Sequence, residues 1–228
     1  MAKKRKTIKK SRKEKKPEVL DKNQIVQERQ VFWTLAIIGI ILLGFLGGYY
    51  YFYRQNNFDF AGVRWNREKV ETINFYHSNF RVFYNSNATY NLYLRENPKE
   101  NNIPVDIEEH DFWTQMIVTL SPEADKCRDS GIAALTFGMF LKGAIDPRVT
   151  IEGAYSDEEY AISKNQSYAT CEDAIGKTVV LIRESDAPGI VKEGDCYIIN
   201  IGSECEVNKA VERLIVAMLQ EISDNRQI

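Results

Sequence analysis

Residues 113–155 read WTQMIVTLSPEADKCRDSGIAALTFGMFLKGAIDPRVTIEGAY, and they decide the fold class. WTQMIVTL has the length and the apolar, β-branched content of a strand. Ser121 and Pro122 stand at N-cap and first-turn places, so SPEADKCRD is a loop or a short first turn. SGIAALTFGMFLKG is apolar over most of a helical circumference, which predicts a buried helix with Gly143 as its C-cap. RVTIEGAY is again a strand. Strand-helix alternation argues for a mixed sheet covered by helices.

The pattern continues toward the C-terminus. SDEEYAISK opens with Ser156 and Glu159 in capping-box spacing and predicts a short helix. KTVVLIRE and CYIINI are strands. A last helix is expected from near Ser203, with Glu206 three residues on. Val207, Val211, Leu214, Ile215, Met218 and Ile222 mark its apolar face. Residues 112–224 therefore read β-α-β-α-β-β-α.

Toward the N-terminus, residues 58–105 are aromatic and β-rich (FDFAGVRW, INFYHSNFRVFY, TYNLYLR). Residues 85–88 form a turn before the last of these, and ENPKENN follows as a loop. This predicts a β-meander at the edge of, or as a flap on, one mixed sheet. The segment 54–228 thus reads as a single α/β (α+β) domain.

Ahead of it, Val31 to Tyr53 is 23 residues without a charge. At about 1.5 Å per residue this makes roughly 34 Å of helix, enough to cross a hydrocarbon core of about 30 Å. The run is too long for a signal-peptide core and no A-x-A-like site follows, so a permanent signal-anchor is expected. Residues 1–30 hold 12 Lys/Arg against 4 Asp/Glu, while the rest of the chain holds 18 against 28. That bias predicts a cytoplasmic N-terminus and an extracytoplasmic 54–228. Trp33 at one end and Tyr49, Tyr50, Tyr51 and Tyr53 at the other suit headgroup belts. Gly44 and Gly48 form a small-xxx-small pair that would let two spans approach as a dimer. The tail KKRKTIKKSRKEKK has almost no apolar content and is expected to be disordered and to touch anionic lipid headgroups. Contact with ribosome or nucleic acid is the lesser alternative for it.

Four cysteines, Cys127, Cys171, Cys196 and Cys205, all follow the apolar run. In an oxidising exterior they suggest two disulfides with three connectivities open. Cys127–Cys171 with Cys196–Cys205 is the expected pairing. It requires a tight return through Ile201-Gly202-Ser203, because CYIINI, if extended, carries the chain away from Cys196. The spacing contains no C-x-x-C knuckle, which argues against zinc.

The segments FDFAGVRWNREKV, YLRENPKENNIPV, KCRDSGIAALTFGMFLKG, SYATC and DCYIINIGSECEV, in this order after one span, resemble uncharacterised archaeal membrane proteins with a disulfide-bonded α/β ectodomain. The likeness covers most of 58–222. It implies a cell-envelope location and a close cysteine pair at Cys196 and Cys205. It carries over no activity.

Catalytic signatures such as G-x-S-x-G, H-E-x-x-H, G-x-G-x-x-G or a Walker loop do not occur. His77 reads as a half-buried sheet residue. His110 lies in EEHD, whose consecutive side chains diverge too much to converge on a metal. Asp125, Asp129 and Ser130 follow a strand and precede a helix, a place where α/β sheets often bind ligands, although helix capping is the simpler role. Asn87 and Asn165 begin N-x-[ST] sequons and are candidate glycosylation sites. The tyrosines and phenylalanines of 75–93 suit cross-strand pairing more than ligand stacking. The expectation is a non-catalytic, single-pass interaction or structural protein of the cell envelope, one that binds an envelope protein partner or supports an assembly, without a cofactor. An envelope hydrolase using the acidic residues of 121–130 is the alternative.

Overall fold

The computed structural model describes residues 22–85 and 87–226. The basic tail through residue 21, with its expected lipid or nucleic-acid contacts, and Ser86 of the expected turn lie outside the described residues. The chain forms two units, Met1–Phe52 and Tyr53–Ile228.

The described part of the first unit is helical. Its helix α1 spans Lys22–Asn56 and begins nine residues before the uncharged run. Those preceding residues, KNQIVQERQ, are mostly good helix formers, and an existing helix propagates through them at little cost. The apolar side chains from Val31 to Tyr53 are exposed on every side of α1. By length and composition, its Arg29–Asn56 portion could cross a membrane, and none of that portion is buried. A Cβ added at Gly44 or Gly48 would meet nothing within 4 Å, so both positions leave open surface.

The second unit contains two sheets, not the single sheet expected from sequence. Strands β1 (Asn57–Phe60), β2 (Val63–Val70), β3 (Ile73–Arg81) and β4 (Thr89–Leu94) form an antiparallel meander in chain order. The other sheet has the order β5-β10-β11-β9-β6-β7-β8. Its strands are β5 (Val105–Asp106), β6 (Gln115–Leu120), β7 (Thr150–Tyr155), β8 (Ser167–Tyr168), β9 (Thr178–Glu184), β10 (Gly189–Glu193) and β11 (Cys196–Ile201). β11, β9, β6, β7 and β8 run parallel, and β10 is antiparallel to β11. β9 and β11 are buried along most of their lengths, which suits central strands covered on both faces.

Two helices explain the second sheet. α3 (Ser130–Phe140) and α5 (Val207–Arg226) share one cluster with Met116, Val118, Val180, Ile182, Ile199 and Ile201 of the large sheet. Trp65, Tyr76, Leu92 and Leu94 of the meander join that same cluster. A helix apolar over most of its surface covers two sheets at once, so the meander gains a separate place instead of extending an edge. α5 is accordingly buried on most sides from Val207 to Leu219. Where Gly62 turns between β1 and β2 its φ is +71°, and a Cβ there would overlap Ser223 of α5. Gly62→Ala is expected to lower the unfolding free energy by about 2 kcal/mol, and Ser223→Gly on that background to recover part of it, both measurable by denaturant titration.

Several local expectations change. Ser121 does cap the short helix α2 (Pro122–Asp125), accepting from the Ala124 N–H, with Pro122 in its first turn. Gly143 does not end α3. The helix continues through a π-turn at Leu141–Ile145, and Gly143 instead gives room to the Tyr90 ring. The short helix α4 (Glu158–Lys164) is capped by Asp157, whose carboxylate accepts from the Tyr160 N–H, in place of Ser156. α5 starts at Val207, four residues later than expected.

The disulfides join Cys127 to Cys205, Cα atoms 5.5 Å apart, and Cys171 to Cys196, 5.3 Å apart. This corrects the expected pairing of Cys127 with Cys171 and Cys196 with Cys205. Cys196 opens β11, whose six residues carry the chain roughly 20 Å away at about 3.3 Å per residue. The residues after Ile201 turn directly into α5 and never come back. Cys205, held at φ +57°, meets the loop between α2 and α3. Cys196 faces the opposite side of the sheet, where Val179, Leu181 and Ile198 form a small cluster covered by the 3-10 turn at Cys171–Asp173.

Candidate functional site

The C-terminal ends of β6 and β7 lie side by side, with Leu120 paired to Tyr155. In open α/β sheets this end is where ligands settle. A cleft of about 380 Å³ opens here. Val118, Leu120 and residues 151–155 of the sheet line it, Glu152 among them, with Ala134 from α3 and Lys164 and Gln166 at the end of α4. Gly153 is exposed, and a Cβ there would meet nothing within 4 Å. A strand glycine with open space beside it lets another backbone come close. The same α3 that supplies Ala134 exposes Ile132, Leu135 and Met139, so the cleft has an apolar shoulder.

A polar cluster stands at its rim. The Asp125 carboxylate accepts from the Tyr155 hydroxyl at 3.1 Å and from the Tyr160 hydroxyl at 2.8 Å, with Lys164 Nζ 3.5 Å away. The two rings meet edge to face at 5.0 Å. Burial, and then the bond to Asp125, raise the Tyr155 hydroxyl above its ordinary value. The bond to Tyr160, and then its charge and that of Asp125, raise the Lys164 ammonium. A tyrosine or lysine that works as a base is instead pushed down. Tyr155 and Lys164 therefore hold their protons, and the bond from the Tyr160 hydroxyl to Asp125 ties α4 to α2.

The loop 125–130 does not converge on one point. Asp125 turns to the tyrosines. Asp129 lies 3.6 Å from Arg95 of the meander side and makes no side-chain cap bond to α3. Ser130 is buried and its hydroxyl donates to the carbonyls of Ala124 and Cys127, so it neither caps nor faces solvent. Thus one of the three sequence-named residues belongs to the site. Tyr155, Tyr160, Lys164 and Gly153 were not singled out by sequence. The glycine inside TIEGAY was the available signal.

The outer edge of β7 is largely open. β8 pairs only with Ala154 and Tyr155, so among the described residues no strand covers Thr150–Gly153 on the side away from β6. The Thr150 N–H donates inward to Thr114, and alternation turns the polar groups of Ile151 and Gly153 outward. Glu152, between them, is exposed.

Other candidates resolve otherwise. His77 stacks on its cross-strand partner Tyr93 at 4.4 Å and faces Glu68 and Asn91. His110 is buried beside Glu221, while Asp111 pairs with Lys192, so the EEHD residues do diverge. Among the described residues no group of three or more His, Cys, Asp or Glu is placed to hold a metal ion. Asn87 and Asn165 are both exposed, the latter in the left-handed C-cap of α4. Trp33, Tyr49, Tyr50, Tyr51 and Tyr53 are exposed on α1. Comparison of the chain with protein-family models, with curated proteins and with solved structures gave no match.

Proposed function

We propose that the chain is a single-pass envelope protein, N-terminus in the cytoplasm, whose disulfide-bonded domain stands outside and binds an extended segment of a partner protein along β7. The open β7 edge beside the cleft carries this proposal. An extended peptide there would continue the sheet through the outward groups of Ile151 and Gly153. One of its side chains would enter the apolar cleft. Its immediate neighbours would pass Glu152 on the other face, so charge favours Lys or Arg there. The exposed apolar α1, the basic N-terminal flank and two disulfides support the location. Pairing of two spans through Gly44 and Gly48 would leave this site unaltered, since that surface belongs to α1 alone.

Gly153→Leu tests the reading. Space at Gly153 accommodates the side chain, so stability should hold, yet the side chain would fill the cleft. A random peptide library selected on the full chain in nanodiscs should enrich extended motifs with one apolar residue flanked by Lys or Arg. Their affinity should drop about tenfold or more in the Leu variant. A library that yields no enriched motif, or peptides that bind both forms equally, would sink it.

A further inference from the structure

A second cleft, of about 330 Å³, opens between the last turn of α1 and the meander, within the unit that begins at Tyr53. Arg54, Arg67 and Lys99 line it against one acid, Glu100. Among the described residues, neither arginine lies within ion-pair distance of a carboxylate. Lys99 is held with its ammonium 4.6 Å from the Phe58 ring centre. Phe58 and Tyr76 give the cleft an aromatic wall. The local balance is therefore two units positive in a domain whose overall charge is negative.

Position along the chain identifies what such a pocket meets. Arg54 directly follows the uncharged run that ends at Tyr53. If that run spans the bilayer, Arg54 emerges in the outer headgroup layer, and the pocket it shares lies at that level too. We infer that this cleft binds the phosphodiester of an anionic lipid headgroup in the outer leaflet. Guanidinium groups match phosphate oxygens two at a time, while Lys99 adds a point charge. The aromatic wall suits the glycerol region just below. This inference rests on the proposed membrane topology but is independent of the β7 site.

The test uses the full chain in phosphatidylcholine nanodiscs. These carry either headgroup-photoactivatable phosphatidylglycerol or the matching phosphatidylcholine probe, with an acyl-chain probe as a third arm. Phosphatidylglycerol adducts on peptides containing residues 54–67 and 97–100 should exceed phosphatidylcholine adducts. Arg67→Gln and Lys99→Gln, both at exposed positions, should each cut the yield about five-fold. Millimolar inorganic phosphate should leave it unchanged. Equal yields from the two headgroups, or yields untouched by both substitutions, overturn the assignment while leaving the topology standing. Loss of the adducts to inorganic phosphate alone overturns the lipid source in favour of a soluble phosphate. Absence of acyl-chain adducts on residues 31–53 rejects the topology itself, and this inference with it.

Discussion

Replacing Cys127 and Cys205 together by Ser should destabilise the domain by about 4.5 kcal/mol, the cost expected for releasing a loop of 78 residues. The pair Cys171 and Cys196 closes only 25 residues, so its loss should cost less, about 3.5 kcal/mol. Guanidinium unfolding of the full chain in detergent, followed by tryptophan fluorescence, would rank them. The physical reason for the difference lies in the unfolded chain: the longer loop removes more of its freedom. The long bridge also ties the α2–α3 loop to the start of α5, so it fastens the helices that the two sheets share. Non-reducing peptide mapping provides the direct check. A linked peptide joining Cys127 to Cys171 would overturn the connectivity, whatever the stabilities.

Glu212 is the second point of large effect. It is a buried carboxylate on α5, and its two oxygens accept the backbone N–H groups of Arg95 and Glu96, each at 2.8 Å. Those N–H groups belong to the segment leaving the meander. Glu212→Ala leaves both unpaired inside the protein, and at 1–3 kcal/mol for each the expected loss is about 4 kcal/mol. Burial, opposed by the two backbone bonds, pushes Glu212 up to about 7. Its folded value thus lies above its ordinary one. The pH-dependent part of its contribution is full below about pH 4.5 and is lost as pH rises through 7.

His110 works the other way. Burial, and then the charge of Lys192, lower it to about 4. A depressed histidine loses stability as pH falls from about 6.5 toward 4, because the unfolded chain takes up the proton more readily. Each effect is about 3 kcal/mol, and the two windows overlap. The wild-type protein should therefore show a nearly flat stability profile between pH 4 and 7. Glu212→Gln should leave a profile that declines on acidification. His110→Phe should leave one that rises on acidification. Parallel profiles for both variants would contradict this balance.

Much of the large sheet was legible in sequence because its strands are long apolar runs and α3 is apolar nearly all round. β10 was not. GIVKE has five residues, two of them charged, and follows Pro188, so its local pattern resembles a loop; its place beside β11 comes from pairing at long range. The separate meander was illegible for a related reason. Alternating apolar residues in 58–94 show that one face is buried, but not whether strand edges or helices cover it. The disulfides depend on which strand ends meet, a property of the closed fold. At the candidate site, sequence order pointed to Asp125 because it follows a strand. Tyr155, Tyr160 and Lys164 reach it from 30 to 39 residues away, and nothing local to them announces that meeting.

The placement of α5 has a consequence for how the protein is made. Its residues 207–219 form the wall on which both the meander and the parallel sheet close, yet they follow every strand in the chain. Until they arrive, each sheet keeps an apolar face exposed, and neither half has a finished interior. Folding of this domain is therefore a late event, governed by contacts of long sequence separation. A nascent chain must be shielded from aggregation over nearly its whole length before it can mature.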